Sequence, residues 1–467
     1  MRTKLFTLIM IVSILLSACG GAATTAAPAT QVPAPATQAP AQAATTAPAA
    51  AQPTTAPTVP VTMSFDAWSY GVETVADNIK KFEALNPNIT INFTDSSWLQ
   101  FHDTMVAAFT SGSSPDLLES SDAWLAEWAS AGWLAPLDQY CPNTVAYAKD
   151  LAPYALEGMT YNGHIYGLSY YADTIDFMYN DTLLQKGGFT TPPATLDDLY
   201  NQAVQLKAKG VNQYPIIFAW SQQEGAFPEA WMSLIYAQHQ GGNAFFDNNL
   251  APVFNLPGSD AYNVSEWLRK SYAAGLIDPV SLSTAEIDQV KSMQAGSHTF
   301  TIAPQYNMAE LNAPNSGNYA GQFKIALMPG PSHAGVGYVR FYAMTPEVVK
   351  AGQAYIDAAC KFMDYFGGTT NGQYIVVKRW AVENGLGFAQ LPLFDDPDVL
   401  AAFSKWGDVP TIKQNATLAR VQEGLTPYSA QWMTYSVAEI QKGILGQESS
   451  TDMLNNMANE WNTLKGK

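Results

Sequence analysis

The stretch from Val61 to Gly132 alternates short apolar runs with amphipathic ones, and no other feature restricts the fold so much. Val61 to Trp68 reads as a strand ending in Trp68-Ser69-Tyr70-Gly71. A helix follows with Val75, Ile79 and Phe82 on one face, closed by Asn86-Pro87. Ile89 to Phe93 alternates as a second strand, Phe101 to Phe109 is helical, and Asp116 to Glu119 is a short third strand. Asp122 then opens a helix that carries Trp124 and Trp128 and stops at Gly132. A βαβαβα order predicts an α/β fold whose parallel sheet is covered on both faces. Ligands of such sheets bind beyond the carboxyl ends of the strands, which puts Trp68, Tyr70 and Asp122 at the rim of a site.

A second α/β region starts at about Thr144. Tyr161-Asn162-Gly163-His164 reads as a turn between two strand-like pieces, and Ile175 to Tyr179 as a further strand. Thr195 caps a helix over Leu196 to Lys209. Thr299 to Ala303, Phe323 to Leu327 and Tyr338 to Met344 are β-like, and the remainder is mostly helical. A chain of 467 residues is long enough for more than one domain. No repeat of fixed period is visible, which removes solenoids and propellers.

The chain begins differently. Arg2 and Lys4 precede an apolar run from Leu5 to Leu16 that is too short for a good membrane span, so residues 1–18 read as a signal peptide. Leu16-Ser17-Ala18-Cys19 is similar to the lipobox of bacterial lipoproteins, which implies cleavage before Cys19 and lipid on its thiol. From Gly20 to Pro60 the sequence is nearly all Ala, Thr, Pro and Gln, without Leu, Ile or any aromatic. Such a segment cannot bury enough surface to offset its ordering entropy. Residues 19–60 are therefore expected to be a disordered tether. Its Ala-Pro units favour extended conformers of about 3.1 Å per residue, a reach on the order of 100 Å.

Composition removes whole classes of function. The 23 basic and 40 acidic residues give a net charge of −17. That balance disfavours nucleic acid, whose phosphates need basic stripes, and a surface held to anionic lipid by charge. The five histidines are scattered, and neither a Cys-x-x-Cys nor a His-Glu-x-x-His pattern occurs, so no metal is expected. Phosphate-loop and nucleophile-elbow motifs are missing too, and no cofactor is expected. Of three cysteines, Cys141 and Cys360 remain after Cys19; they either pair or pack as small buried apolar groups.

Several phrases in fixed order carry a resemblance. They include Phe82 followed by Asn86-Pro87-Asn88-Ile89, Gly112-Ser113-Ser114-Pro115-Asp116, and Ala131-Gly132-Trp133-Leu134-Ala135-Pro136-Leu137. Further along come Tyr161-Asn162-Gly163-His164-Ile165-Tyr166-Gly167, Gly275-Leu276-Ile277-Asp278-Pro279 and Ser429-Ala430-Gln431-Trp432. In this order, over about Val61 to Leu464, the chain resembles the solute-binding proteins of ABC transporters, family 1, the group like maltose-binding protein. The resemblance implies a two-lobe periplasmic-binding-protein-like fold with a ligand cleft between hinged lobes. On that pattern lobe 1 is 61–141 plus 302–345, and lobe 2 is 142–301 plus 346–467.

The resemblance also points to residues. Trp432 matches a family position whose ring stacks on ligand sugars, and Asp173 one that keeps an acidic hydrogen-bonding group, with Asp176 as its rival. Tyr306 stands near an aromatic position of the family, with Gln305 equally placed, and Glu224 and Phe227 lie in a loop that often touches ligand. The strand-end argument adds Asp122 and Trp68. With 12 Trp and 23 Tyr the chain is well supplied with flat apolar faces for sugar rings. After Arg2 only four arginines remain, which favours an uncharged ligand over an anion.

The expected function is that of a lipid-anchored, extracytoplasmic, monomeric binding protein with no enzymatic activity. It would capture a neutral sugar or oligosaccharide and pass it to an ABC transporter permease. Two alternatives stay open. One is a secreted carbohydrate-active enzyme with paired carboxylates such as Asp122 and Asp173. The other is a binder of a cationic solute such as a polyamine, held by acids and aromatic rings.

Overall fold

Alternation at the start of the folded chain becomes sheet and helix as read. The computed structural model describes residues 59–222 and 226–466, so the signal peptide, Cys19 and nearly all of the 19–60 segment lie outside the described residues. The described strands are, in chain order, β1 (Val61–Trp68), β2 (Ile89–Ser96), β3 (Leu117–Ser121), β4 (Thr160–Tyr161), β5 (His164–Ile165) and β6 (Gly167–Asn180). They continue with β7 (Ile216–Ile217), β8 (Phe300–Pro304), β9 (Phe323–Ala326), β10 (Val336–Met344) and β11 (Arg420–Val421).

In β1, Val61, Met63, Phe65 and Ala67 are buried at every second position, the period of a strand. The helix Val72–Leu85 covers that sheet with Val75, Ile79 and Phe82, and Asn86 closes it. β1 pairs in parallel with β2 along its length and with β3 at Phe65 and Asp66. The parallel arrangement ends there. β10 runs antiparallel to both β3 and β6, so the sheet is mixed, in the order β2-β1-β3-β10-β6-β8-β7 with β11 on β10 and β9 on β6. The hairpin β4–β5 turns through Asn162 and Gly163, both at positive φ, as its Asn-Gly sequence demands. Thr195 and Asp198 cap the helix Leu196–Ala208 reciprocally.

Two strands tie the molecule together. β6 is 14 residues long; its first half pairs with β10, and its second half pairs with β8 on one side and β9 on the other. Ala172 belongs to one hydrophobic core and Ile175 to another, and in β10 the same change falls between Val339 and Tyr338. A third passage is the helix Ile375–Asn384, with Val376 and Trp380 in the first core and Val377 and Ala381 in a third.

These cores divide the chain at other places than the ranges expected for the lobes. Leu151, Tyr154, Leu168, Phe362 and Phe366 pack into the first core, whereas Ile302, Ile325 and Met328 pack into the second and third. The physical reason is that the chain passes from core to core inside two continuous strands. No loop or shift of composition marks the crossing.

Aromatic side chains fill the first core. Phe362 and Phe366 stack at 4.0 Å and meet Phe65, Phe82 and Tyr342 edge-on or tilted. Cys141 and Cys360 are bonded, joining positions 219 residues apart to this core. A cross-link over so long a loop restricts the unfolded chain, a stabilisation of about 2–5 kcal/mol. Cys141→Ser with Cys360→Ser is expected to lower the melting temperature by several degrees, and reductant to lower the wild type alike. Equal melting of oxidised and reduced protein would contradict this.

Candidate ligand-binding site

Where β6 and β10 cross from one core to the next, apolar side chains give way to polar ones. Asp173 and Tyr338 face each other across the ladder, as do Tyr171 and Arg340. The register then slips: Phe341 pairs with Ser169, so Tyr170 is an extra residue in β6. A bulge of this kind re-aims side chains beside it. Tyr170 stacks on Tyr342 at 4.6 Å in the first core, while the Tyr171 hydroxyl meets that of Tyr338 at 2.8 Å.

Asp173 is buried and satisfied. Its Oδ1 accepts from the Thr174 N–H at 2.9 Å, and its Oδ2 from the Tyr306 N–H at 3.1 Å and the Tyr171 hydroxyl at 3.3 Å. Gly387 presses against it: a Cβ there would meet the Ala172 carbonyl at 2.3 Å and Asp173 Oδ1 at 2.9 Å. Burial holds the Asp173 carboxyl well above the usual range, opposed by the Thr174 N–H and reinforced by Asp176. Asp176 itself is pushed up to about 7 by burial, and its Oδ2 accepts from the Thr174 hydroxyl at 2.9 Å. The Tyr306 hydroxyl donates to Glu286 Oε1, and burial followed by the Glu286 charge raises its pKa.

Asp122 approaches from the first core. The end of β3 and the helix Asp122–Ser130 position it, with Ser121 as the capping residue. Four donors reach its carboxylate: the Ser121 hydroxyl and Ala123 N–H at 3.0 Å, the Val339 N–H at 3.3 Å, and Arg340 Nη1 at 2.9 Å. Burial raises its pKa and Arg340 opposes the rise. Burial works against the Arg340 charge, but Asp122 and the phenols of Tyr338 and Tyr171 outweigh it. Glu229, on the helix Ala226–Gln238, is pushed up to about 7 by burial, against the pull of Arg340 and with help from Asp122 and Glu286.

An aromatic shelf borders this cluster. Trp98 retains 41% of its surface exposed. It stacks on Trp124 at 4.8 Å, and Trp68 supports it edge-on at 5.0 Å. The Arg340 guanidinium lies 4.9 Å from the centroid of the Trp98 ring.

Of the residues read from sequence, the fold brings Asp122, Asp173 and Tyr306 to β6 and β10 where these strands pass between cores. Trp68 is close by but buried under Trp98, with its backbone N–H on Glu119, so it is a support and not a face. Gln305 is buried beside Tyr306. Trp432 lies elsewhere. It is 1% exposed in the second core, surrounded by Phe246, Phe254 and Trp461, with its indole N–H donating to the Met457 carbonyl at 2.8 Å. No ring face of Trp432 is open for stacking. Glu224 falls outside the described residues, and Phe227 contributes only its helical backbone to them.

Sequence reading missed Trp98 and Arg340. Trp98 follows the carboxyl end of β2, so the strand-end argument that found Trp68 and Asp122 would have found it had β2 been read through to Ser96. Arg340 is a lone charge in the apolar run of β10, in a chain with few arginines.

The chain belongs to the bacterial extracellular solute-binding protein family, whose model matches residues 68–373. A Brucella abortus protein named as a binding protein is 26% identical over 281 residues, 59% of this chain and 64% of that protein. The match thus spans less than two thirds of that relative. A maltotriose-binding protein of Pyrococcus abyssi is 28% identical over 178 residues, 38% of this chain and 36% of that one. Among solved structures, the sugar-binding protein MalE of Xanthomonas citri aligns with a TM-score of 0.72 at 19% identity, over 86% of this chain and 97% of that one. That likeness establishes the two-lobe periplasmic-binding-protein fold.

Two expected outcomes follow from the burial pattern. Trp432→Ala should lower unfolding free energy by about 3–5 kcal/mol, the usual loss for a deleted core aromatic. A change under about 1 kcal/mol in urea denaturation would show that the ring is not packed as described. Glu119, buried under Trp68, has its carboxyl pushed up to about 8 from 4.5 by burial. A carboxyl raised on folding favours the native state when protonated. Its contribution is full below pH 4.5 and is lost as the pH rises through about 8. Glu119→Gln should therefore flatten the fall in stability between about pH 5 and about pH 8. An unchanged slope in denaturation at several pH values would contradict this.

Proposed function

We propose that this chain is a lipid-anchored extracytoplasmic binding protein that captures a neutral sugar or short oligosaccharide for an ABC transporter permease. The observation that carries the reading is the junction itself. A half-exposed tryptophan from one lobe, Trp98, stands beside carboxylates and phenols held on the strands shared by both lobes. Sugar rings need such a flat apolar face together with hydroxyl-binding groups. Asp122, Asp173, Tyr306, Trp98 and Arg340 are the residues assigned to the ligand, and Cys19 to the anchor. Family membership and the names of the Pyrococcus and Xanthomonas proteins support a sugar over other solutes. A ligand that touches both lobes favours the closed arrangement, the form a permease distinguishes.

A second reading, a cationic solute, draws on Glu229 and Glu286 beside Tyr306. The enzyme reading loses ground to membership in the bacterial extracellular solute-binding protein family.

Thermal shift with neutral disaccharides and trisaccharides, alongside putrescine and spermidine, separates these readings. A neutral glycan should raise the melting temperature and remain intact. Trp98→Ala should then weaken its binding by about 2–4 kcal/mol in calorimetry, as truncated hot-spot aromatics do. Stabilisation by the polyamines alone would transfer the case to the cationic reading, and hydrolysis of the glycan to the enzyme reading.

A further inference from the structure

Arg340 sits at the point where β10 passes between cores. Its guanidinium lies 4.9 Å from the ring centroid of Trp98 and 4.9 Å from that of Tyr338. Its side chain is only 15% exposed. Nη1 serves Asp122 Oδ1 at 2.9 Å and the Val339 carbonyl at 3.3 Å. Among the described residues, Nε and Nη2 donate to no protein group. An arginine carries five N–H donors in a planar fork, and those that Asp122 and Val339 leave open are available to a ligand. The Nε and Nη2 edge is one of the two faces of that fork able to hold a pair of oxygens side by side.

Charge decides which oxygens. Asp122 already balances the guanidinium. Arg340, Asp122 and Glu286 all act on Glu229, and Asp173 lies two ladder pairs away, opposite Tyr338. Burial already disfavours the ionised forms of Asp122, Asp173 and Glu229, so a further anion would add charge where charge is penalised, whereas hydroxyl groups accept from the fork without adding charge and can donate to the acids.

We propose that Arg340 determines ligand specificity: its Nε–H and Nη2–H edge reads two adjacent hydroxyls of a neutral glycan resting against Trp98, and acid-bearing sugars are rejected. This deepens the sugar-binding reading and rests on it.

The test uses the tightest binder among maltose, maltotriose, cellobiose, lactose and trehalose, its single-deoxy analogues, and its uronic-acid derivative. Calorimetry is run on wild type and Arg340→Lys, a change that keeps the charge opposite Asp122 but removes the fork. Arg340→Lys should bind the parent glycan about 10–100-fold more weakly, the range for lost hydrogen bonds to a charged group. Removing either of two adjacent hydroxyls should weaken wild type by a similar factor and leave Arg340→Lys nearly unaffected. The uronic-acid derivative should bind wild type at least about tenfold more weakly than the parent.

Equal parent affinity in wild type and Arg340→Lys would overturn the assignment of Arg340 while leaving the sugar reading in place. Equal losses in both proteins on deoxygenation would do the same. Tighter binding of the uronic-acid derivative by wild type, a result that needs no variant, would make the fork an anion site and overturn the proposal. Failure of wild type to bind any neutral glycan would overturn the sugar reading and this inference with it.

Discussion

β6 and β10 run side by side through the junction of the lobes, hydrogen-bonded to each other from Gly167 to Thr174 on one and from Gly337 to Ala343 on the other. Their ladder fixes where the lobes meet and which side chains stand there. On either side of the crossing the same strands carry core residues, Ala172 and Val339 toward one lobe, Ile175 and Val336 toward the other. Asp173 and Tyr338 stand between these positions, and Tyr171 and Arg340 stand just beyond Ala172 and Val339. A buried polar side chain without partners is costly. Around this crossing the partners come from separate elements: Asp122 from the helix after β3, the Tyr306 N–H from the chain after β8.

That arrangement has a thermodynamic cost. A buried ion pair such as Asp122–Arg340 gives back in attraction little more than its desolvation takes, so it is weak evidence for stability. The raised pKa values of Asp122, Asp173 and Glu229 all have burial as their leading cause. Stability is supplied elsewhere, by the stacked Phe362 and Phe366, the bond between Cys141 and Cys360, and the aromatic packing around Trp432. The two tasks are thus spatially separate, and residues of the same type divide between them: Trp432 packs and Trp98 faces outward.

This division explains what the sequence made legible. Strand ends follow from local pattern, so the placement of Trp68 at the end of β1 and of Asp122 just after β3 was legible from position alone. The early helices and the Thr195 cap were legible for the same reason: their signals lie within a few residues. Trp432 was assigned by resemblance, and its burial depends on Phe246, Phe254 and Trp461, which lie far from it in the chain. Trp98 escaped because the alternation of β2 was followed only to Phe93, although the strand continues to Ser96. The passages between cores were least legible. They fall within uninterrupted β-strands, where neither turn residues nor a change in hydrophobic period occurs.

The central claim is that ligand binds at the crossing of β6 and β10. A crystal structure with the tightest neutral glycan tests it most directly. The account predicts density for a sugar against Trp98, within hydrogen-bond reach of Arg340 and of groups from both lobes. Density confined to another depression, such as the open surface groove lined by Thr195, Gln238, Trp267 and Lys270, would contradict it.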